Sequence, residues 1–515
     1  MPGVNSEPKK LEGYDFYCQV LGSPKYVVAP MVDQSELLVY TPMINAKACM
    51  RYAGPHNILL NHHYQMFAEG ARKGYRDQNF NITLGEEGGP EDRPLIVQFC
   101  ANSPEQLLKS AKVVEPYCDA VDVNLGCPQD IARRGHYGSF LQDEWDLIYE
   151  LINTLHRNLS IPVTAKFRVF PTVEKTVEYA KMLERAGAQI LTCHGRLREQ
   201  RGHNTGLADW EKIRAVKEAV SIPVFANGNV LFHSDIERCL AATGADAIMS
   251  AEGNLYNPAI FSLAPSLADA STSTSTSTST STSTSASASS SAPYLTGLHP
   301  RHTHLALEYL AIVQAQRTPT SPSAVKGHLF KLLRPALARA PDLRERLGRV
   351  RAEKGEPPRA ALARYADVVR ELDARLQEDV RAAGERGLEE LVVWDAAAAL
   401  PLLPHWLAQP YFRPLQPDPA EGAQAKGKQK AQGDSLSAAT TDGEAAPGAA
   451  DTAADAGDVP LAACNAPDSA PQRPDAQVAG AGAKRASGAR TPDPDDPVGA
   501  EDAKRTKLDG AQTGR

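Results

Sequence analysis

The stretch AVDVNLGC, residues 120–127, has the two features that decide the fold: an apolar run, and a break at its end. The apolar residues stop at Asn124, and Gly126 and Pro128 then force the chain out of the extended conformation around Cys127. Seven more short, β-branched runs occur, most of them separated by amphipathic segments. They are YVVAPM (26–31), LVYTPM (38–43), PLIVQFC (94–100), PVTAKFRV (162–169), AQILTCHG (188–195), PVFANGN (223–229) and AIMSAEG (247–253). Strands that alternate with helices pair in parallel, so eight such units predict a (β/α)8 TIM barrel. A doubly wound sheet is the rival fold, but no GxGxxG follows any of the runs.

The remainder of the chain divides by composition. Residues 271–291 alternate Ser with Thr and then Ser with Ala, a pattern that cannot bury a core. A helical pattern follows, and Ala, Gly, Pro, Asp and Ser then dominate without any aromatic residue. The predicted order is an N-terminal extension (1–24), the barrel (25–264), a disordered Ser/Thr-rich insert (265–298), a smaller all-α domain (299–414) and a disordered C-terminal tail (415–515).

Composition excludes several classes of protein. The formal net charge of −7 over 515 residues argues against a generally basic nucleic-acid binder. No apolar run reaches 18 residues, and the N-terminus lacks the pattern of a secretory signal, so neither a membrane span nor secretion is expected. The eight cysteines include no CxxC pair, which predicts reduced thiols in an intracellular protein and no metal site.

One connection is too short for the predicted barrel. Only VDQSEL (32–37) separates the first two strands, whereas parallel strands need a crossover of about a dozen residues. The stretch from Ile44 to Pro94 is unusually long and fits no unit of the pattern. Either a deletion between residues 33 and 38 leaves the barrel wall open, or a gene-model error accounts for both features.

Polar residues stand at the ends of six of the eight predicted strands. In this fold the C-terminal strand ends face the active site, which favours a site over a set of ordinary caps and turns. The small residues of NGN (227–229) and SAEG (250–253) would let backbone N–H groups approach a phosphate. Lys166 lies in an otherwise apolar strand and needs an anion; the alternative partner is a core carboxylate such as Asp122.

These strand ends together would suit a flavin mononucleotide. A reduced flavin carries negative charge that Lys166 could meet, while Gln98 and Asn124 could bind amide groups of the ring. A free thiol has a pKa of ~8.5 and is therefore mostly protonated at neutral pH. Cys127 could thus protonate the enolate that forms when hydride adds to a conjugated carbonyl. The alternative is an inert core cysteine.

The motifs around these residues carry a family resemblance. APMV, VDVNLGCPQDIARRGHYGSFL, AKFRVF, CHGR, FANGN and MSAEGNLYNPAIF resemble the flavin-dependent tRNA-dihydrouridine synthases, in particular the eukaryotic branch that acts on D-loop positions 16 and 17. The resemblance covers nearly all of residues 26–262. It resumes in the helical part with KGHLFKLLRPAL and LPHWLAQPYFRP.

The resemblance implies a set of roles. Cys127 would be the catalytic proton donor to uracil C5, and NADPH or NADH would reduce a bound FMN, which passes hydride to uracil C6. The residues implied to bind FMN are Pro30, Met31, Val32, Gln98, Asn124, Lys166, His194, Asn227, Gly228, Asn229, Ala251 and Glu252.

A tRNA partner needs basic residues, because a uridine must be extruded from folded RNA before a flavin can stack on it. Residues 325–370 contain twelve Lys/Arg and five Asp/Glu, a local charge of +7; the alternative is a solvated helical face. Candidate RNA contacts are Arg133, Arg134, Arg168, Arg196, Lys326, Lys331 and Arg334. We expect a monomer in the cytoplasm, the nucleus or both, given a basic cluster at Lys504–Lys507 that resembles an import signal.

Two other functions fit the same residues. One is a flavin barrel oxidoreductase that acts on a free pyrimidine or another enone, which would not need salt-sensitive tRNA binding. The other is a non-catalytic tRNA-binding protein whose barrel no longer holds flavin, given the short first connection.

Overall fold

Eight parallel strands form one sheet in the computed structural model, which describes residues 10–30, 44–45, 80, 88–89, 92–202, 205–263, 293–317, 320–396 and 400–411. The strands are β1 (Tyr26–Val28), β2 (Ile44–Asn45), β3 (Ile96–Cys100), β4 (Ala120–Leu125), β5 (Val163–Arg168), β6 (Leu191–His194), β7 (Val224–Asn227) and β8 (Ala247–Ser250). Their order, β1-β8-β7-β6-β5-β4-β3-β2, follows the chain around a barrel, whereas a doubly wound sheet reverses its order at a switch point. The predicted TIM-barrel class is confirmed.

Helices follow the strands along the chain, and the five longer ones cover the outer face of the sheet. The helices are α2 (Pro104–Val114), α3 (Asp130–Gly135), α4 (Trp145–Asn158), α5 (Val173–Ala186), α6 (Trp210–Ala219), α7 (Ser234–Thr243) and α8 (Glu252–Tyr256). Side-chain caps fix several helix starts: Ser103, Thr172 and Asp209 each accept a backbone N–H three residues ahead. The apolar stripes of α2, α4, α5 and α6 pack against every second residue of the strands, for example Val121, Val123 and Ala165.

The alternate residues of each strand point into the barrel. Near the N-terminal ends of the strands they are apolar: Ile96, Ala120, Ile190, Phe225 and Ala247. Helix α1 (Gly13–Gln19) packs Phe16 and Tyr17 against this layer and so closes that end of the barrel. The segment predicted as an extension therefore contributes to the barrel core, and the polar interior residues all lie toward the opposite end.

The short connection between the first two predicted strands lies outside the described residues. This holds for Met31, Val32, VDQSEL and the predicted strand LVYTPM; β2 begins directly after that run, at Ile44. Of the insert that was predicted to be disordered, residues 265–292 lie outside the described residues, while 293–298 are described and Gly297 forms a β-bridge with Leu263. The tail from residue 412 onward also lies outside the described ranges.

A helical region follows the barrel and has its own apolar core. Its elements are α9 (His302–Ala315), α10 (Pro322–Leu332), α11 (Arg334–Leu337), α12 (Pro341–Arg349), α13 (Ala360–Ala383) and α14 (Leu388–Leu391). A small antiparallel hairpin, β9 (Val393–Asp395) with β10 (Leu400–Leu402), adds strands to a region that was predicted to be all-α. Among the described helices, none is long and apolar enough to cross a membrane.

Candidate active site at the barrel mouth

Strand register brings the predicted site residues together at the mouth, by which we mean the C-terminal ends of the strands. Asn124 pairs in register with Lys166, Arg168 with His194, and His194 with Asn227. One layer deeper, Gln98 pairs with Asp122, and Asp122 with Thr164. Since side chains alternate along a strand, all of these residues point inward, and on β5 they occupy three successive inward positions, Thr164, Lys166 and Arg168.

The loop that carries Cys127 is held from three sides. Asn124 Oδ1 accepts the backbone N–H groups of Gly126 and Cys127 at 3.1 and 3.0 Å. Arg168 Nε donates to the carbonyl oxygen of Gly126 at 2.8 Å, and Ser139 Oγ donates to that of Cys127 at 2.9 Å. The position of the thiol is therefore determined by fixed backbone contacts on both sides of the residue.

Burial keeps the Cys127 thiol protonated. Burial raises the pKa of Cys127, and the nearby Arg168 and Lys166 only partly oppose this shift. A neutral thiol can donate a proton but is a poor nucleophile, so the environment of Cys127 favours acid catalysis over covalent attack.

Lys166 is a buried cation that forms no ion pair with a carboxylate among the described residues. Its Nζ donates to Asn227 Oδ1 at 3.1 Å, and Asn227 in turn donates to the Met249 carbonyl at 2.7 Å. Burial, with Arg168 close by, lowers the pKa of Lys166 to about 8. Within the described part of the chain no carboxylate forms an ion pair with Lys166, and Asp122 instead accepts from Thr164 and Gln98. The proposed pairing of Lys166 with Asp122 is therefore not what the structure shows.

Small residues shape the corner at the ends of β7 and β8. Gly228 and Asn229 both have positive φ angles, +115° and +63°. A Cβ atom on Gly228 would lie 2.7 Å from the Cβ of Ala208 and 3.2 Å from the His194 ring, so only glycine fits there. Asn229 Oδ1 accepts from Arg196 at 2.9 Å, which places a guanidinium beside this turn.

The comparisons with known proteins agree with this geometry. Residues 27–296, more than half of the chain, match the dihydrouridine synthase (Dus) family. The chain belongs to the dihydrouridine synthase family. It is 42% identical to a tRNA-dihydrouridine(16/17) synthase of Schizosaccharomyces pombe, over 79% of this chain and 92% of that protein. It is also 42% identical to a Mus musculus protein named as tRNA-dihydrouridine(16/17) synthase-like, over 80% and 73% of the two chains. A Homo sapiens tRNA-dihydrouridine(20a/20b) synthase-like protein is 32% identical over 46% of this chain.

The mouth of this Dus family member fits an FMN on the evidence of its own residues. Lys166, Arg168 and Arg196 give it an excess of positive charge, which suits a phosphate and an anionic ring. Burial lowers the pKa of His194 well below its usual range, so its imidazole is neutral, and Arg196 donates toward its Nε2 across 3.2 Å. One buried hydroxyl on the inward face, Thr192 Oγ1 on β6, has no hydrogen-bond partner among the described residues and is thus able to bond to a bound group.

The remaining predicted FMN residues are placed as follows. Pro30 follows β1, Ala251 precedes α8 and Glu252 begins it, so all three lie at the mouth end of neighbouring strands. Met31 and Val32 lie outside the described residues.

The residues predicted to contact RNA differ in their exposure and in their hydrogen-bond partners. Arg133 and Arg134 are exposed on α3, directly after the Cys127 loop, and Arg133 pairs with Asp130 at 3.3 Å. Arg168 is buried and donates to the carbonyls of Gly126, Leu197 and Gln200, so the structure favours a role in holding loops. Arg196 likewise donates to the Gly206 carbonyl as well as to Asn229.

The three basic residues predicted in the helical region also have partners. Lys326 Nζ donates to the Gly348 carbonyl at 2.6 Å. Lys331 Nζ lies 5.6 Å from the ring centre of Tyr256, and the Arg334 guanidinium lies 3.6 Å from that of Tyr411. Lys331 therefore packs against α8, the helix that begins at the predicted phosphate corner.

Three further residues contribute to the site, and none of them was among the predicted site residues. Asp122 and Thr164 form part of the inner polar layer, and Ser139 holds the Cys127 carbonyl. The signal for the first two was present, because Asp122 lies two residues before Asn124 and Thr164 two before Lys166, which in a strand is the same face.

Proposed function

We propose that the chain is an FMN-dependent tRNA-dihydrouridine synthase that reduces uridine to 5,6-dihydrouridine, with NADPH or NADH as the reductant. The observation that carries the proposal is the placement of a protonated thiol, Cys127, on a rigid loop at a mouth lined by Lys166, His194 and Asn227. Relatives that share 42% identity over most of their length bear this activity in their names.

The chain's own residues account for the steps around the cofactor. Lys166, the Gly228–Asn229 turn and Arg196 would hold FMN, with Gln98 and Asn124 against its ring. When bound, FMN supplies hydride from the nicotinamide to C6 of the pyrimidine. The thiol of Cys127 then delivers a proton to C5, and its raised pKa keeps that proton in place until the enolate forms.

Positions 16 and 17 of the D-loop are the proposed targets. The relatives at 42% identity are named for these positions, whereas the relative named for 20a/20b matches less than half of this chain. The proposal is tested by locating dihydrouridine in tRNA by mass spectrometry after reaction with the purified protein.

The helical region is the proposed grip on the RNA. On α12 and in the following loop, Arg344, Arg351 and Lys354 have no ion-pair partner among the described residues, and Lys326 lies against this segment. Phosphate contacts of this kind make affinity fall as salt rises. We further propose that Arg134, exposed beside the Cys127 loop, contacts the backbone of the extruded nucleotide.

The deciding experiment follows dihydrouridine formation in unmodified tRNA. Wild-type protein, Cys127→Ala and a matched control, Cys18→Ala, are compared under single-turnover conditions, with free uridine as a second substrate. Cys18 is exposed on α1 at the far end of the barrel, so its loss should leave the rate unchanged. Removal of the general acid should lower the rate by roughly 10²–10⁴-fold.

The outcomes separate the three candidate functions. Reduction of free uridine without tRNA would favour a small-molecule oxidoreductase. A purified protein without the yellow colour of flavin, which still binds tRNA, would favour a non-catalytic binder. Full activity of Cys127→Ala would show that another group donates the proton.

The cellular location of the protein is proposed from its sequence. We propose that it acts in the cytoplasm, the nucleus or both, and that the basic cluster Lys504–Lys507, which lies outside the described residues, directs nuclear import. Imaging of the full chain with Lys504, Arg505 and Lys507 changed to alanine tests this.

A further inference from the structure

Asp122 is a fully buried carboxylate in the barrel interior, one layer below the mouth. No lysine or arginine lies within ion-pair distance of it in the part of the chain that the structure describes. Instead, Thr164 Oγ1 donates to its Oδ1 at 2.5 Å and Gln98 Nε2 donates to its Oδ2 at 2.7 Å. A buried carboxylate is costly compared with an apolar residue of similar size, so its presence calls for an explanation beyond filling space.

A continuous chain of hydrogen bonds leads from Asp122 to the backbone of Cys127. Gln98 Nε2 donates to Asp122, and Gln98 Oε1 accepts from Asn124 Nδ2 at 2.7 Å. Asn124 Oδ1 then accepts the backbone N–H groups of Gly126 and Cys127. Two side-chain amides, those of Gln98 and Asn124, thus connect the Asp122 carboxylate to the backbone of Cys127.

The direction of this chain is fixed at both ends by groups that cannot be reversed. Backbone N–H groups only donate, so Asn124 must turn its oxygen toward Cys127 and its NH2 group toward Gln98. A carboxylate only accepts, so Gln98 must turn its NH2 group toward Asp122 and its oxygen toward Asn124. If Gln98 were flipped, its NH2 group would face that of Asn124, and the carbonyl of Gln98 would face the carboxylate.

We propose that Asp122 is a positioning residue for proton donation: by fixing the direction of the Gln98 and Asn124 side-chain amides, it holds the Cys127 turn in place. The inference rests on the proposed function only in the role that it gives to the Cys127 thiol. Asp122 does not touch the substrate or the cofactor and acts through two other side chains.

Two substitutions separate this role from a general need for a buried group. Asp122→Asn can turn its oxygen toward Gln98 and its NH2 group toward the Thr164 hydroxyl, so it preserves the direction of the chain. Asp122→Leu has a similar size but offers no acceptor, so the Gln98 NH2 group loses the partner that it has in Asp122, and its contact with Asn124 has to hold the amide without that support. Asp246→Leu is the matched control, because Asp246 is a largely buried carboxylate that pairs with Lys217 at the opposite end of the barrel.

The experiment measures three quantities on each full-length holoenzyme: kcat and KM for tRNA, the melting temperature, and the rate at which iodoacetamide alkylates Cys127, followed on its own peptide by mass spectrometry. We expect Asp122→Leu to lower kcat by roughly tenfold or more and to change the alkylation rate, with KM for tRNA nearly unchanged, since the buried Gln98 amide loses its acceptor and no longer supports the Cys127 turn. Asp122→Asn should restore kcat and the alkylation rate to near wild-type values. Asp246→Leu should lower the melting temperature without altering kcat.

The results also distinguish this proposal from the proposed function. If wild-type protein forms no dihydrouridine, the proposed function fails, yet a Cys127 alkylation rate that differs in Asp122→Leu and recovers in Asp122→Asn would still support the positioning role. Equal losses of kcat in the Asn and Leu variants would overturn it. Asp122→Val, a smaller strand-forming change, is the second variant, and failure of both apolar variants to fold would make Asp122 a structural residue and overturn the proposal.

Discussion

Arg168 Nε donates a hydrogen bond to the carbonyl oxygen of Gly126 at 2.8 Å, one residue before the proposed proton donor. The same guanidinium donates to the carbonyls of Leu197 and Gln200, in the loop that follows β6. One buried side chain thus ties together two loops that the sequence separates by about seventy residues. Burial lowers the pKa of Arg168 to about 10, which still leaves it charged at neutral pH.

Arg168→Lys should therefore impair the enzyme although the charge is retained. A lysine ammonium is a point donor and cannot reproduce the three directions of the guanidinium fork. Since a hydrogen bond from a charged group contributes ~1.5–3 kcal/mol, we expect kcat to fall by roughly 10–100-fold and the melting temperature to drop. Arg214→Lys, on the exposed face of α6, is the control and should change neither quantity measurably. An unchanged kcat in Arg168→Lys would show that the loops keep their places without it.

The pH dependence of kcat should report the raised pKa of Cys127. A proton donor is active only while protonated, so the rate should stay level through neutral pH and fall only above the ordinary thiol value of ~8.5. In Cys127→Ser the hydroxyl keeps its proton throughout this range, so the rate should be lower overall but lack that alkaline fall. An alkaline limb that persists in Cys127→Ser would instead belong to another group, such as Lys166, whose pKa is lowered to about 8.

Lys166 should make the stability of the flavin-free protein depend on pH. Its pKa is about 8 in the folded state and ~10.4 in an unfolded chain, so between these values the unfolded state binds more protons. The free energy of unfolding should therefore rise with pH across this window, and the rise should be smaller in Lys166→Met. Urea unfolding of both proteins at pH 7.5 and about 10 measures the difference. Added FMN should stabilise wild-type protein more than the Met variant; equal stabilisation of both would remove Lys166 from the cofactor site.

Much of the barrel and its mouth could be predicted from the sequence, because a strand has a side-chain period of two and ends at identifiable turns. Gln98, Asn124, Lys166 and His194 were placed at strand ends, and the register brings them together. Asp122 was considered only as a partner for Lys166, since an acid inside an apolar run does not show which neighbour it will meet. Its actual partners depend on the stagger between strands, which the sequence of one strand does not contain.

Contacts between distant segments could not be predicted. The role of Arg168 depends on a loop that returns after β6, and the docking of Tyr256 with Tyr411 joins the end of the barrel to the end of the helical region. A basic residue at a strand end predicts RNA contact equally well, so the sequence around Arg168 alone does not distinguish RNA contact from its role in holding two loops.

The Tyr256–Tyr411 pair should set how well the helical region presents tRNA to the mouth. The two ring centres are 5.7 Å apart, Lys331 lies over one ring and Arg334 over the other. Because a cation–π contact contributes ~0.5–2 kcal/mol, Tyr411→Leu should raise KM for tRNA by roughly 2–30-fold. Reduction of the flavin by NADPH should be unaffected. Tyr149→Leu, an exposed tyrosine on α4, is the control, and a change in flavin reduction in Tyr411→Leu would indicate damage to the barrel itself.

Gly138 tests how tightly the Cys127 loop is packed. Its φ angle is +65°, and an added Cβ would lie 2.8 Å from the Cys127 carbonyl oxygen and 3.0 Å from its Cβ. Both the backbone strain and the contact oppose any side chain, so Gly138→Ala should destabilise the protein by ~1–3 kcal/mol or push the thiol away from its position. Gly327→Ala is the matched control, because Gly327 lies within α10 with open space at its Cβ position, and alanine there should stabilise by ~0.5–1 kcal/mol. The measurements are chemical unfolding, kcat with tRNA and the alkylation rate of Cys127. If Gly138→Ala kept the stability and kcat of wild-type protein, the loop would have room to move, and the rigid placement of Cys127 on which the proposed proton transfer depends would be wrong.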